Sequence, residues 1–297
     1  MTRKRQLRFT IIRGLVAILI ALLVATVLIF ISAEGRTFMD KLQATGEALK
    51  QMLLGPIFRF SKKAGLSFEA KRLLDIFAAM IPIIFTGLSV CVMFSANQFN
   101  LGAEGGIMLG AFVAAMVNDP LFIGAKLTWG FPLALIAVLL CGLFMYRSRW
   151  GYSIRMIGIN QEFARYSGMN VGKTIVLSQL IGGFLAGAGG GIEMLGRYET
   201  FSWNALPGYG WTGITIAILA GNNPYMVPLA AFFMAYLSKG CDLMATYARV
   251  PAQLINIIQG VIFLFFAADR FLSKYRQKLV VKSAEEELAR AGALKED

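Results

Sequence analysis

The chain has 297 residues, of which 57% are hydrophobic and only 15% are charged, and its mean hydropathy is +0.63. A soluble domain usually has about 25% charged residues, so this composition excludes a soluble protein and indicates an integral membrane protein. The net charge is +12, but the basic residues gather at the two ends and in one central segment. That distribution fits an anionic membrane surface and argues against a nucleic-acid partner.

The residue types present exclude several kinds of chemistry. The chain has no histidine, which removes His-ligated metal sites and Ser-His-Asp triads. Cys91, Cys141 and Cys241 are widely spaced in apolar stretches, so we expect neither a disulfide framework nor a metal site. No GxxxxGK[ST] pattern occurs, so ATP must be bound by a partner. The sequence therefore predicts no catalytic residue and no cofactor in this chain.

The chain begins with a basic segment, residues 1–13, that is predicted to be cytoplasmic. The apolar run 14–32 is long enough to be the first span of a transmembrane domain that covers 14–270. The apolar residues of Met39–Phe60 recur near helical spacing, which predicts an amphipathic helix on the outer membrane surface. The net positive charge of 33–72 argues against an outer location, but the flanking spans leave little choice of topology.

A second span is predicted over Leu73–Ala96, with a kink at Pro82. The stretch 97–106 follows at once and is rich in amide side chains and glycine. Asn100 can cap the next helix, which places Glu104 in a first helical turn. An ionisable residue at membrane depth costs about 2.5–3.5 kcal/mol, which favours a functional role for Glu104. The alternative is a glutamate at the cytoplasmic interface that only caps a helix.

The span Phe131–Tyr146 leads to a basic segment, Tyr152–Lys173, which the positive-inside rule places in the cytoplasm. Its middle, from Asn160 to Gly168, is a predicted short helix with Asn160 as its N-cap and Glu162 in its first turn. Such a helix could pass force to a soluble partner. An ordinary solvated loop is the alternative.

The fifth span, Thr174–Leu195, has Gly183, Gly187 and Gly191 four residues apart, a spacing that predicts close packing against another helix. Glu193 lies near its outer end.

The stretch Trp211–Ala220 is too short to cross alone, so it either extends back to Trp203 or is half of a broken helix. Further spans are predicted over Tyr225–Ser238 and Ala252–Ala268, joined by a loop, and 271–297 is a predicted cytoplasmic tail. About eight spans result, with both termini inside.

Four stretches carry a resemblance to a known family. FNLGAEGGIMLGAF (99–112) resembles the FNIGAEGQ signature of permease subunits in bacterial ABC importers of the branched-chain amino acid, simple sugar and nucleoside superfamily. The segment 152–173 resembles the cytoplasmic coupling segment of that family. WNALPGYGWTGITIAILAGNNP (203–224) and Pro251 with Gln259-Gly260 resemble two further stretches, in the same order.

The resemblance implies an all-α permease with a core like that of cobalamin-type (type II) importers, in the bacterial cytoplasmic (inner) membrane and surrounded by lipid. Two permease subunits, identical or homologous, would pair. Two cytoplasmic ABC ATPase subunits would bind ATP and Mg, and an extracytoplasmic binding protein would deliver the solute.

The resemblance also assigns roles to residues. The coupling helix that meets the ATPase would comprise Asn160, Gln161, Glu162, Phe163, Ala164, Arg165 and Gly168. A nucleoside offers hydroxyl groups and a stackable base, which amide and aromatic side chains can meet. The candidates for the solute path are therefore Asn97, Asn100, Glu104, Trp203 and Asn204.

The signature is closest to the nucleoside-type subgroup, but it departs from the family at Gly106, where Gln is usual, and at Phe163, where Ala is frequent. A simple sugar or a riboflavin-like compound is the alternative solute. A stand-alone secondary transporter would need inverted repeats or intramembrane charge pairs. A membrane enzyme acting on lipids would need acidic metal clusters. The sequence has none of these features.

Overall fold

A computed structural model describes residues 19–20, 22–32, 37–61, 65–117, 130–198, 201–248, 251 and 253–267. The predicted cytoplasmic ends, 1–13 and 271–297, lie outside these ranges. The elements, in chain order, are α1 (Leu22–Ser32), α2 (Phe38–Leu54), β1 (Phe58–Ser61), β2 (Gly65–Phe68), α3 (Ala70–Ser95), α4 (Gly102–Val117), α5 (Gly130–Arg147), α6 (Arg149–Ile159), α7 (Gln161–Tyr166), α8 (Val171–Arg197), α9 (Tyr209–Leu219), a 3-10 turn (Pro224–Met226), α10 (Val227–Ala248) and α11 (Leu254–Ala267).

Apart from the β1–β2 hairpin, the regular structure of the described ranges is helical, as the composition predicts. Within these ranges, α3, α5 and α8 are each long and apolar enough to cross a membrane. A fourth crossing results if α9 and the segment Pro224–Ala248, which are bent by 110° at their junction, form one broken span. The shorter apolar helices α1 and α4 leave the predicted total of eight spans unconfirmed.

Helix α3 is the centre of the bundle. Its apolar run is buried almost continuously from Pro82 to Met93, because α8, α9 and α10 pack around it. Gly87 lies against Ile216 of α9, and Gly182 of α8 lies against Met93. Small residues at helix contacts let membrane helices approach closely, which is consistent with the central place of α3.

Helix α2 ends at Leu54, so the predicted helix Met39–Phe60 is six residues too long. A turn at Gly55 and Pro56 leads into β1, which pairs antiparallel with β2. This hairpin was not predicted. The signal for it is glycine and proline, which interrupt the helical pattern just before a β-favouring Ile-Phe-Arg-Phe run. The buried face of α2 packs on α10, where the hydroxyl of Tyr236 donates a hydrogen bond to the carbonyl of Leu53.

Helix α10 continues to Ala248, so the loop predicted after Ser238 is wrong over most of its length. Leu237, Cys241 and Met244 are all buried, and their spacing of three or four residues keeps one apolar face on the bundle. The polar residues Lys239 and Asp242 therefore belong to the helix and not to a loop.

Candidate functional site

A cavity of about 720 Å³ lies among α3, α9, α10 and α11. Aromatic rings contribute to its wall from Phe99, Tyr209 and Trp211. Polar side chains contribute from four helices, α8 to α11: Arg197, Thr212, Thr215, Ser238, Lys239, Asp242 and Asn256. This volume and this mixture of apolar surface and a few polar groups are typical of small-molecule sites.

One wall of the cavity is the beginning of α9, which follows an irregular stretch, 201–208. Gly208 has a φ of +80° and is the N-cap of α9. Because α9 has only 11 residues, it cannot cross a membrane by itself, which supports the broken-helix alternative. Pro207 and Gly208 of this stretch line the cavity. Irregular backbone is tolerated within a membrane protein where it lines a cavity.

The carboxylate of Glu104 binds the start of α9. Its Oε1 accepts a hydrogen bond from the backbone N–H of Gly208 at 2.7 Å, and its Oε2 accepts one from the N–H of Gly210. The side chain is buried, with 7% of its surface exposed. Glu104 thus satisfies N–H groups that α9 cannot pair internally, at the positive end of the α9 dipole. It caps a helix 104 residues away in sequence and not its own.

The predicted cap at Asn100 is present, since its Oδ1 accepts a hydrogen bond from the N–H of Gly102 at 2.6 Å. Its Nδ2 donates to Oε1 of Gln179 in α8 at 2.5 Å. Gln179 lies about 12 Å along α8 from Val171, at 1.5 Å per residue. Glu104, further along α4, is therefore well inside the helix bundle and away from the end of α8 that adjoins α7.

Glycines allow α4 and α8 to lie in direct backbone contact. Gly187 lies 3.5 Å from the carbonyl oxygen of Gly106, and Gly191 lies 3.8 Å from that of Gly110, both measured from where a Cβ would sit. A side chain on Gly190 would collide with the carbonyl of Ile107. Gly183, in contrast, has open space at its Cβ position.

The five predicted path residues do not themselves line the cavity. Glu104 binds Gly208, which does line it, and the ring of Trp203 lies 6.1 Å from that of Tyr209, which also lines it. Asn97 and Asn204 are exposed. Their role in the solute path stays a prediction.

The polar residues of α10 and α11 that line the cavity were not among the predicted site residues. Ser238, Lys239 and Asp242 interrupt an otherwise apolar helix at neighbouring turns, which is the signal that could have identified them. Next to them, Glu193 forms an ion pair with Arg197 at 3.2 Å and accepts a hydrogen bond from the hydroxyl of Tyr209 at 3.4 Å. The expectation that the sequence has no charge pair in its spans is therefore wrong at Glu193, because Arg197 lies one turn further along the same helix. Among the described residues, no group of His, Cys, Asp and Glu is arranged to hold a metal ion.

The basic segment is more helical than predicted, because α6 precedes the short helix. Ile154 and Ile157 of α6 are buried, and Gly158 lies directly against the backbone of Ser95 at the end of α3. Arg155 lies over the ring of Tyr146 at 4.9 Å. The segment is therefore packed onto the bundle and is not a free loop.

The short helix α7 forms as predicted. Oδ1 of Asn160 accepts a hydrogen bond from the N–H of Phe163 at 3.0 Å, and Gly168, with a φ of +81°, follows the end of the helix. Ala164 is buried and anchors α7 to the bundle. Phe163 and Tyr166 point outward, with 54% and 89% of their surfaces exposed.

A family model described as the permease component of branched-chain amino acid transport systems matches residues 120–267, about half of the chain. The chain belongs to this permease family. Members are transport components and not enzymes, so the apolar helices described above are those of a membrane permease.

Three curated relatives of this permease are similar over about half of its length. The guanosine ABC transporter permease protein of Bacillus subtilis is 34% identical over 161 residues, which cover 54% of this chain and 46% of that protein. A glucose ABC transporter permease protein of Haloferax volcanii is 36% identical over 168 residues, which cover 57% and 44%. A nucleoside ABC transporter permease protein of Lactococcus lactis is 29% identical over 149 residues, which cover 50% and 40%.

The matched part of this permease thus spans less than half the length of each of these relatives. No solved structure matches the chain significantly. The predicted likeness to cobalamin-type importers therefore stays a prediction.

Proposed function

We propose that this permease is one membrane subunit of an ATP-driven importer and forms the path for a nucleoside. The observation that carries the proposal is the cavity of about 720 Å³, whose wall combines exposed aromatic rings with hydroxyl and amide groups. Similarity to guanosine and nucleoside permeases supports the same solute class.

The cavity has groups suited to both halves of a nucleoside. The indole of Trp211 is largely exposed on the first turn of α9, where a base could stack on it. Ser238 of α10 and Asn256 of α11 offer a hydroxyl and an amide to the sugar hydroxyls. A flat apolar ring joined to a polyhydroxylated sugar matches this division between apolar and polar surfaces.

The energy would come from partner subunits that bind ATP and Mg and dock on the cytoplasmic face. Helix α7 supports this part of the proposal, because its buried Ala164 fixes it to the bundle while Phe163 and Tyr166 offer exposed aromatic surface. Aromatic residues are enriched at interface hot spots. A second permease subunit, identical or homologous, and an extracytoplasmic binding protein would complete the importer in the cytoplasmic membrane.

The test is uptake of radiolabelled guanosine by cells with and without this gene, with excess unlabelled ribose or glucose as competitor. We expect uptake that depends on the gene and that neither sugar reduces. Gene-dependent uptake that is abolished by an ATPase-inactive partner would support the ATP-driven mechanism as well. Unchanged guanosine uptake on deletion of the gene would reject the nucleoside assignment.

A simple sugar is the second candidate solute, because the glucose permease relative is 36% identical to this chain. In the same assay, gene-dependent uptake of labelled glucose, with no loss of guanosine uptake on deletion, would favour the sugar.

A further inference from the structure

The contact between Glu104 and the start of α9 joins two parts of the permease that the proposed function requires to move together. We propose that Glu104 is a positioning residue that transmits movement of the cytoplasmic coupling segment to the wall of the solute cavity. The inference rests on the proposed function, because it assumes a partner ATPase that moves α7.

The geometry of the contact restricts which residue can stand at position 104 and at position 210. Glu104 is buried and offers both carboxylate oxygens, each to a different backbone N–H of α9. A methyl group on Gly210 would lie 2.6 Å from the amide nitrogen and from Oε2 of Glu104, so no larger residue fits there. Two hydrogen bonds to one carboxyl group fix direction as well as distance.

Helix α4, which carries Glu104, is attached to α8 along its length. Glycine contacts bring the backbones of the two helices together, and the Asn100–Gln179 hydrogen bond joins them nearer the cytoplasmic end. Helix α8 begins at Val171, five residues after α7 ends at Tyr166, and the side chain of Asn170 caps it. A displacement of α7 therefore reaches α4 through packed helices and not through a flexible linker.

On its other side, the contact holds a short element that forms part of the cavity. Gly208, Tyr209 and Thr212 all line the cavity, and all lie within the first turn of α9 or its cap. The opposite end of α9 is a turn in which Gly221 and Asn222 both have positive φ. Helix α9 also rests on α3, where Gly213 meets Thr86. Glu104 is thus the polar attachment that links this half-helix to α4 and α8.

The test uses the complete importer in membranes, with Thr212→Cys as a reporter in the cavity wall. Cys91, Cys141 and Cys241 are buried, so background labelling should be low. The rate of labelling by a hydrophilic maleimide is compared between the nucleotide-free and the vanadate-trapped states. With Glu104 intact, we expect the two rates to differ by about fivefold or more, the lower end of typical coupling between sites.

Glu104→Gln has nearly the same size, but its amide nitrogen would face a backbone N–H. We expect it to remove the difference between the two labelling rates, and to lower both uptake and the stimulation of ATPase activity by the loaded binding protein. Gly210→Ala should do the same from the other side of the contact, with Glu104 unchanged. Glu104→Asp, which keeps the carboxyl group, should restore part of the difference.

Gly105→Ala is the matched control, because Gly105 is next to Glu104 and has open space at its Cβ position. It should leave the labelling difference unchanged. A wild-type labelling difference in both Glu104→Gln and Gly210→Ala would overturn the proposal. Failure of Glu104→Gln, Gly210→Ala and Glu104→Asp to assemble would assign the contact to folding and would overturn it as well. Because labelling needs no identified solute, absence of nucleoside uptake in the wild type would reject the proposed solute alone.

Discussion

Gly110 of α4 lies against Gly187 of α8 so closely that a side chain on Gly110 would occupy the space of the Gly187 backbone. Gly106 and Gly191 extend the same contact in both directions along the helices. Direct backbone contact of this kind is how membrane helices associate without a hydrophobic driving force between them. Glu104 lies about one and a half turns before Gly110 on α4, so the same packing places its side chain next to the start of α9.

Gly110→Ala should therefore separate the two helices. We expect it to lower the free energy of unfolding by about 1–3 kcal/mol, as overpacking of a close contact usually does. Thermal unfolding of the purified permease in detergent would measure the change. Gly183→Ala is the control, since it lies on the same glycine stripe of α8 but has open space at its Cβ. An equal loss in both variants would contradict this account of the contact.

If the solute binds in the cavity, Trp211→Ala should weaken solute binding during uptake without affecting assembly of the importer. Loss of an aromatic stacking partner costs about 0.5–1.5 kcal/mol of binding free energy in addition to the contribution of the buried area. The KM for guanosine uptake should therefore rise several-fold. Trp211→Phe keeps a ring and should remain close to the wild type. The amount of importer recovered from membranes checks assembly. A KM that is unchanged in Trp211→Ala would remove the indole from the solute path.

If the partner ATPase docks on α7, Tyr166→Ala should weaken its binding. Loss of one aromatic contact at an interface can cost more than 1 kcal/mol, and 1.4 kcal/mol corresponds to about tenfold in affinity. Co-purification with the detergent-solubilised permease over a range of concentrations of the purified ATPase would measure this affinity. Tyr247→Ala is a matched control, because Tyr247 is also exposed but lies near the end of α10. Equal weakening by both substitutions would show that the effect is not specific to α7.

Local signals were enough to predict the helices and caps that depend only on neighbours in sequence. The N-caps at Asn100 and Asn160 and the break between α9 and α10 all follow from short-range chemistry. The partner of Glu104 did not, because Gly208 and Gly210 are more than 100 residues away and only the packing of α4 on α8 brings them together. The cavity was missed for the same reason, since its polar side chains come from separate helices.

Arg72 attaches the β1–β2 hairpin to the start of α3. Its Nη1 donates to the carbonyl oxygens of Gly55 at 2.6 Å and Phe58 at 3.1 Å, and its Nε donates to Glu69 at 3.0 Å. Arg59 also approaches Glu69, but at 3.9 Å and with an exposed side chain. The two arginines therefore hold the same hairpin with very different contacts.

Arg72→Ala should loosen the hairpin, because a hydrogen bond from a charged group contributes about 1.5–3 kcal/mol and two carbonyls would lose their partner. Arg59→Ala should have little effect, since exposed ion pairs contribute about 0–1 kcal/mol. The rate at which chymotrypsin cleaves near Phe58 and Phe68 in intact membrane vesicles would report local opening. Faster cleavage in Arg72→Ala alone is the expected result. Equal rates in both variants would mean that packing of α2 on α10, and not Arg72, holds the hairpin in place.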